Sequence, residues 1–198
     1  MRYVIMANGK GTRWGNYGGI PKHLISIDGE TLLQRTTRLA HEYDPQAEVI
    51  ISSSNPAYQA EGATRHEPLR GDREIDRFCY ELISDDVCFL YGDTFYTEET
   101  LQRIVQEPAA ADGMLFFGTA KSIVAVKAAK ASVMRQHLDQ LIAMIEEGRL
   151  EDAKGWQLYH LSQGMPLEGR EVGLNYVVLD DSTTDFNRPD EYQAFISK

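Results

Sequence analysis

Short apolar runs alternate with longer amphipathic segments along the chain. The apolar runs predict buried strands, which we place at Tyr3–Ala7, Glu48–Ser52, Val87–Tyr91, Gly113–Gly118, Ser122–Val126 and Gly173–Leu179. The amphipathic segments have apolar residues at helical spacing, and they predict helices at Thr31–Tyr43, Arg73–Ile83, Glu98–Val105, Ala128–Glu147 and from Asn187 onward. For the last helix we expect Asn187 as the N-cap, with Pro189 in the first turn and Asp190 three residues after the cap.

The alternation of strands and helices indicates an α/β protein whose sheet is mostly parallel and covered by helices on both faces. We therefore predict a Rossmann-like three-layer αβα sandwich. No repeat, low-complexity tract or linker divides the sequence, so residues 1–198 are predicted to form a single domain with an insertion around residues 148–172. Ligands bind such sheets beyond the carboxyl ends of the strands, which makes the loops after Ala7, Tyr91 and Leu179 the informative ones.

The composition is that of an ordinary globular protein, with 42% hydrophobic and 25% charged residues. No apolar stretch approaches the roughly 20 residues of a membrane-spanning helix, and the first apolar run stops at Asn8. The two cysteines, Cys79 and Cys88, fall in predicted core elements. We therefore expect a cytoplasmic protein with reduced thiols and no membrane association.

The formal net charge of −10 argues against a nucleic-acid-binding protein, which would normally have a basic surface. The same charge does not exclude a nucleotide substrate, because a bound Mg²⁺ and a few local cations can reverse the field at a site. The charge therefore directs the search toward small phosphorylated ligands and away from nucleic acid.

The loop after the first predicted strand has the residue types of a phosphate-binding loop. Gly9 and Gly11 allow backbone N–H groups to approach an anion closely, since no Cβ stands in the way. Arg13 can bind phosphate oxygens with two parallel hydrogen bonds, and Lys22 adds a point charge from the far end of the loop. We predict Arg13 and Lys22 as catalytic residues that stabilise the charge of a triphosphate. The predicted nucleotide-binding residues of the loop are Ala7, Asn8, Gly9, Lys10, Gly11 and Thr12.

Three other kinds of loop share some of these residues. A P-loop would need Gly-x-x-x-x-Gly-Lys-Ser/Thr, which this segment lacks. A dinucleotide-binding loop would have glycine where Trp14 stands, and the second strand would end in an acidic residue where the chain has Ser52–Ser54. A solvated glycine turn remains open, although Arg13 and Lys22 at these offsets from a first strand favour phosphate binding.

Several segments together resemble the sugar-nucleotidyltransferase and cytidylyltransferase superfamily, whose members have the MobA-like NTP transferase fold. The resemblance is carried by Met6–Arg13, Pro21–Leu24, Ile27–Leu33, Gly92-Asp93 and Asp185–Tyr192. It is weak between about residues 112 and 180. Asn8 stands where members often have Ala or Gly, and the segment Gly15–Ile20 is longer and richer in glycine than in many members. These departures change the shape of the loop more than its charge.

The resemblance implies an enzyme that transfers a nucleoside monophosphate from a nucleoside triphosphate to a small phosphorylated acceptor and releases pyrophosphate. It also implies Mg²⁺ as a cofactor, with Asp93 and Asp185 as metal ligands. Asp93 follows an apolar strand, which places it at the sheet edge near the first loop; a turn aspartate is the alternative. For Asp185 the alternative is helix capping. Members of the superfamily are often dimers, which makes a homodimer one expectation.

Two further segments concern the substrates. Arg70–Arg73 is loosely similar to a base-contacting segment of cytidylyltransferases, which implies base contacts from Gly71 and Asp72 and favours CTP; a helix cap at Asp72 is the alternative. The insertion is predicted to bind the acceptor: a sugar phosphate, a phosphocholine-like compound or a phosphonate. The aromatic residues of Lys154–His160 could face a choline-like cation or a sugar, or pack as core. A non-catalytic nucleotide-binding module and an NAD-dependent oxidoreductase stay open as other functions.

Overall fold

The structure, a computed structural model, describes residues 1–197. The strands are β1 (Arg2–Met6), β2 (Ser26–Ile27), β3 (Glu30–Thr31), β4 (Glu48–Ser52), β5 (Thr64–His66), β6 (Val87–Tyr91), β7 (Thr94–Phe95), β8 (Met114–Gly118), β9 (Ile123–Ala128), β10 (Tyr176–Val178) and β11 (Thr184–Asp185). The α-helices are α1 (Leu32–Tyr43), α2 (Glu98–Gln106), α3 (Ala131–Glu146), α4 (Gly155–Ser162) and α5 (Pro189–Ile196). Short 3₁₀ helices form at Tyr17–Gly19, Lys22–Leu24, Glu74–Phe78 and Tyr80–Leu82. Within residues 1–197, no helix has both the length and the apolar character that crossing a bilayer requires.

A seven-stranded sheet in the order β10-β8-β9-β6-β1-β4-β5 forms the centre of the fold. The strands β6, β1, β4 and β5 run parallel to one another, and β10 runs parallel to β8. Only β9 among them is antiparallel to its neighbours, β6 and β8. The prediction of a mostly parallel sheet is confirmed.

Alternate residues of each central strand enter two separate apolar layers. In β1, Val4 and Met6 pack toward α3, α4 and the two 3₁₀ helices of residues 74–82. Tyr3 and Ile5 pack toward α1 and α2 on the other face. Such alternation is what a sheet with helices on both faces requires, because successive side chains point to opposite faces. The three-layer αβα prediction is therefore confirmed, and both faces of the sheet are used for core packing. The carboxyl edge remains available for a site.

The predicted helix Arg73–Ile83 is wrong in type, because the segment forms two 3₁₀ helices, Glu74–Phe78 and Tyr80–Leu82. The break lies at Cys79, whose φ of 16° and ψ of 83° are incompatible with a helix. The alternative interpretation of Asp72 as a helix cap is also wrong: the turn begins at Arg73, whose backbone N–H donates to the Asp76 carboxylate over 3.0 Å. Apolar spacing alone does not reveal this break.

Three other helices differ from the sequence-based expectation. Ala128 belongs to β9, where it pairs with Val87, so α3 starts only at Ala131. Helix α4 forms inside the predicted insertion, where no helix was expected. Helix α5 starts at Pro189, and its capping acid is Glu191 rather than Asp190, since the Glu191 carboxylate accepts from the backbone N–H groups before the helix.

Gly118, the last residue of β8, sits where a side chain does not fit. A Cβ there would overlap the Ser122 carbonyl oxygen and the Tyr176 hydroxyl group. We expect Gly118→Ala to lower the free energy of unfolding by about 1–3 kcal/mol, the usual cost of overpacking a well-filled site. Urea denaturation followed by circular dichroism measures the loss.

Gly113→Ala is the matched control, because the nearest atom to its added Cβ, on Ala110, is an ordinary 3.4 Å away. We expect the control to change the free energy of unfolding by about 0.5 kcal/mol or less. Equal losses in the two variants would contradict the assigned crowding at Gly118.

Candidate active site

A cleft of about 1050 Å³ lies beyond the carboxyl ends of β1 and β6. It is at least as large as the sites of roughly 300–1,000 Å³ that commonly bind small molecules. The predicted site residues that line it are Lys10, Gly11, Thr12, Arg13, Lys22, Asp93 and Asp185. The structure thus brings the first loop, its two predicted catalytic cations and both predicted metal ligands to one cavity.

The remaining predicted residues lie beside this cleft and do not line it. Ala7 is buried, and Asn8 accepts hydrogen bonds from the Ser54 backbone N–H (2.9 Å) and hydroxyl group (2.8 Å). Gly9 packs against the guanidinium group of Arg77. These contacts fix the start of the loop to the end of β4. Gly71 lies beside the Asn8 amide, whereas Asp72 is exposed to solvent.

Lys22 and Asp93 form an ion pair at the base of the cleft. The Lys22 ammonium group donates to Asp93 Oδ2, and each residue is only 8% exposed. Burial by itself would raise the pKa of Asp93, but the positive charge of Lys22 outweighs it and holds that pKa below its ordinary value. Asp93 is therefore an anion at neutral pH. Burial lowers the pKa of the neighbouring His23 to about 4, so its imidazole ring is neutral there.

A two-stranded antiparallel ladder places Asp185 next to Asp93 along the backbone. Asp185 in β11 pairs with Thr94 in β7, and the Phe186 N–H donates to the Asp93 carbonyl oxygen over 2.9 Å. Asn187 donates from its amide to Asp185 Oδ2 and accepts from Arg13 over 2.6 Å. The predicted anion-binding arginine is thus linked through one amide to a predicted metal ligand.

Trp14 anchors the glycine-rich segment Gly15–Ile20, which departs from the usual superfamily pattern. The Trp14 side chain is buried in an apolar cluster with Phe186, and its Nε1–H donates to the Ile20 carbonyl oxygen over 2.8 Å. Gly18 and Gly19 have φ values of 61° and 72°, in the left-handed region that favours glycine. The segment therefore curls over a fixed indole ring beside the cleft.

Arg77 is a cleft residue that the sequence reasoning missed. Its guanidinium group lies against Gly9 and forms an ion pair with Glu74, and both side chains line the cavity. Arg77 belongs to no recognisable motif, and the α-helix predicted for its segment is not the conformation that it adopts. The nearest predicted feature in the sequence is Arg70–Arg73, the segment that is loosely similar to a base-contacting segment of cytidylyltransferases.

The aromatic residues of the insertion pack as core. Trp156 stacks on Tyr176 with ring centroids 5.7 Å apart and an interplanar angle of 12°. Tyr159 and His160 are fully buried, and both ring nitrogens of His160 lie within hydrogen-bonding distance of backbone carbonyl oxygens. Of the alternatives for this segment, an open aromatic cage for a choline-like cation is not formed by these side chains.

Glu81 fixes the segment that carries Gly71. Its Oε1 atom accepts from the Leu69 backbone N–H over 2.8 Å and lies 3.0 Å from His66 Nε2. Burial acts to raise the pKa of Glu81, but the hydrogen bonds from His66 and Leu69 outweigh it and hold the pKa at about 2. The anionic form of Glu81 is therefore the one that the fold stabilises.

Glu81→Gln tests this assignment through pH dependence. A folded pKa below the unfolded one gives stabilisation that is present above about 4.5 and is lost as pH falls through about 2. At pH 7 we expect the variant to lose roughly 1.5–3 kcal/mol of unfolding free energy, the scale of hydrogen bonds to a charged group. Between pH 4.5 and 2 its stability should fall less steeply than that of the wild type. Glu67→Gln, at a well-exposed side chain, is the control; parallel curves for wild type and Glu81→Gln would contradict the assignment.

Comparison with known proteins gives a family and a fold. The sequence profile of the MobA-like NTP transferase domain matches residues 3–153. The chain is 28% identical over 116 residues to the bifunctional IPC transferase and DIPP synthase of Thermococcus kodakarensis, a match that covers 53% of this chain and 26% of that protein. The matched segment therefore corresponds to about a quarter of that relative.

Two solved structures share the fold over nearly the whole chain. The CTP:phosphocholine cytidylyltransferase of Streptococcus pneumoniae superposes with a TM-score of 0.61 at 10% identity, over 100% of this chain and 99% of that one. The inositol-1-phosphate CTP transferase of T. maritima gives a TM-score of 0.55 at 11% identity, over 100% and 95%. At such identities the likeness concerns the fold alone, whereas the profile match covers most of the sequence. The chain belongs to the MobA-like NTP transferase family.

Proposed function

We propose that this nucleotidyltransferase-family protein is a magnesium-dependent cytidylyltransferase that transfers CMP from CTP to a small phosphorylated acceptor. The observation that carries the proposal is the buried Lys22–Asp93 ion pair, which lies in one cleft with Asp185 and the glycine loop. A buried cation that faces a cavity interacts strongly with phosphate, because little water screens it. This is the environment that nucleotidyl transfer needs.

The residues present fit a magnesium ion. Mg²⁺ takes hard oxygen ligands, commonly one or two carboxylates together with substrate phosphates. Asp93 and Asp185 offer carboxylates on the same cleft, and the lowered pKa of Asp93 keeps it anionic at neutral pH. When bound, the ion would neutralise part of the charge on the triphosphate.

The protein's side chains and backbone position the two substrates and stabilise the negative charge of the triphosphate. A phosphate oxygen of the acceptor attacks the α-phosphorus of CTP, the bond to the β-phosphate breaks, and pyrophosphate leaves with its electron pair. The attacking oxygen is already an anion, so no protein base is needed. Lys22 and Arg13 stabilise the charge on the triphosphate, while Gly11 presents backbone next to it. His23 is buried and neutral at pH 7, so it adds no positive charge to the site.

CTP is favoured among the triphosphates for two reasons. The names of the two solved structures described above specify CTP, and Gly71 of the loosely similar base-contacting segment lies beside Asn8 of the first loop. An oxidoreductase is disfavoured, because Ser52 ends β4 and Ser54 bonds to Asn8, where a dinucleotide-binding site would have a carboxylate for the ribose.

A pyrophosphate-release screen tests the proposal. Four nucleoside triphosphates are combined with a panel of phosphorylated small molecules in the presence of Mg²⁺, and pyrophosphate is measured by a coupled assay. We expect release with CTP and at least one acceptor, dependent on both substrates and abolished by EDTA. Triphosphate binding without release would favour a non-catalytic module, and tight binding of NAD in a parallel titration would favour an oxidoreductase.

A further inference from the structure

One wall of the cleft carries cations without acidic partners. Lys121, Lys154 and Arg170 line it, and none of them forms an ion pair with a carboxylate of residues 1–197. Among the other cleft cations, Lys22 and Arg77 are paired with Asp93 and Glu74, whereas Lys10 and Arg13 of the first loop also form no ion pair with a carboxylate of residues 1–197. Lys121, Lys154 and Arg170 are therefore a second group of uncompensated cations, outside the first loop, in a chain whose net charge is −10. Together these three side chains are the basic wall.

The basic wall is built on a connected scaffold. The turn between β8 and β9 carries Lys121, and the Tyr176 hydroxyl group donates to the Thr119 carbonyl oxygen of that turn over 2.7 Å. Tyr176 in turn stacks on Trp156, two residues after Lys154. Arg170 donates from Nη1 to the Lys121 carbonyl oxygen over 2.9 Å, and this hydrogen bond holds Arg170 against the turn that carries Lys121.

Gly155 sets the distance between Lys154 and the sheet. A Cβ at this position would stand 2.5 Å from the hydroxyl oxygen of Tyr91, the last residue of β6. Only glycine therefore lets α4 begin so close to the strand that leads to Asp93. The position of Lys154 at the cleft depends on this contact.

The basic wall is separate from the residues proposed to bind the triphosphate. In the sheet, β8 and β9 lie on one side of β6, and β1, whose loop carries Arg13, lies on the other. Lys154 and Arg170 also lie beyond residues 3–153, the part that matches the family profile. Lys22 and Arg13 are the cations proposed to stabilise the triphosphate, so the charge of the basic wall is available to another group.

We propose that the acceptor has a second anionic group, such as a carboxylate or a further phosphate, and that Lys121, Lys154 and Arg170 bind it. The inference rests on the proposed function and names the substrate class within it. A choline-like acceptor is disfavoured, because the three positive charges of the basic wall repel a cation. Charge-assisted contacts to these cations would distinguish an acceptor with a second anionic group from one whose only anionic group is the attacking phosphate or phosphonate.

Matched pairs of acceptors test the proposal. 3-Phosphoglycerate is compared with glycerol 3-phosphate, and phosphonoacetate with ethylphosphonate, so that each pair differs in one carboxylate. With CTP and Mg²⁺, we expect kcat/KM for pyrophosphate release to be at least about tenfold higher for the carboxylate member, on the scale of one charge-assisted hydrogen bond. In the triple variant Lys121→Gln, Lys154→Gln, Arg170→Gln the ratio should approach one, while the KM for CTP stays unchanged.

Lys130→Gln is the control, because Lys130 is exposed, pairs with Asp85 and does not line the cleft. For this control, the ratio of kcat/KM between the two members of each acceptor pair should equal that of the wild type. Isothermal titration of the same pairs into the protein with a nonreactive CTP analogue tests the inference without turnover. Equal affinity within the pairs, or a preference that survives in the triple variant, would overturn the proposal. Loss of pyrophosphate release with every acceptor, together with preserved binding preference, would instead overturn the proposed function.

Discussion

Replacing Lys22 with alanine is expected to lower the turnover number for pyrophosphate release by about two to four orders of magnitude, by analogy with the loss of one donor from a charge-stabilising site. The effect is large because Lys22 is almost fully buried, so water does not replace its charge. Steady-state kinetics with CTP and a working acceptor measure it. Most of the loss should fall on kcat, since negative charge on the leaving pyrophosphate grows in the transition state.

The Lys22 experiment needs variants that separate chemistry from folding. Removing Lys22 leaves Asp93 buried without its partner, which costs roughly 3–5 kcal/mol of stability at such sites. Thermal unfolding therefore accompanies the kinetics, and Lys22→Arg keeps the charge and should retain more activity than the alanine variant. Lys130→Ala, at an exposed ion pair, controls for loss of a lysine. Unchanged turnover in a folded Lys22→Ala protein would remove Lys22 from the mechanism.

Replacing Asp93 with alanine is expected to abolish magnesium-dependent pyrophosphate release, a loss of at least about three orders of magnitude for a site that depends on charge neutralisation by the ion. The carboxylate is held anionic beside Lys22 and belongs to one of the two aspartates that line the cleft. Asp93→Asn keeps the shape and removes the charge, so it should be as inactive as the alanine variant. Titration of Mn²⁺ by electron paramagnetic resonance measures ion binding independently of activity.

Asp85→Asn is the matched control for this second experiment, because Asp85 is exposed and contacts Lys130 away from the cleft. It should show the wild-type dependence of rate on Mg²⁺ concentration. If Asp93→Ala or Asp93→Asn keeps that same dependence, the metal assignment is wrong. If only the rate falls and Mn²⁺ still binds with unchanged affinity, Asp93 acts on Lys22 rather than on the ion.

Local patterns explain why the fold class and the family could be predicted. The strand β1 and its loop lie together in sequence, and phosphate chemistry at the carboxyl end of a first strand depends on residues a few positions apart. The family assignment is confirmed by the profile match. The roles of Lys22, Arg13, Asp93 and Asp185 stay predictions, although the structure places all four around one cleft.

The features that escaped prediction depend on contacts between distant segments. Helical spacing in residues 73–83 suggested an α-helix, but the conformation of Cys79 divides the segment and leaves Arg77 against Gly9. The basic wall joins residues from a turn, a helix start and a later loop, and Lys121 and Arg170 are 49 positions apart. No motif of fixed spacing describes such a set, so only the folded structure reveals it.

The ladder between β7 and β11 has a consequence for truncation of the protein. The last strand of the central sheet ends at Val178, whereas Asp185 lies in β11. A chain stopped before Thr184 would therefore keep every strand of the central sheet while lacking Asp185, the second predicted metal ligand. Loss of the predicted metal site and loss of the sheet are thus separable by the position of a stop codon.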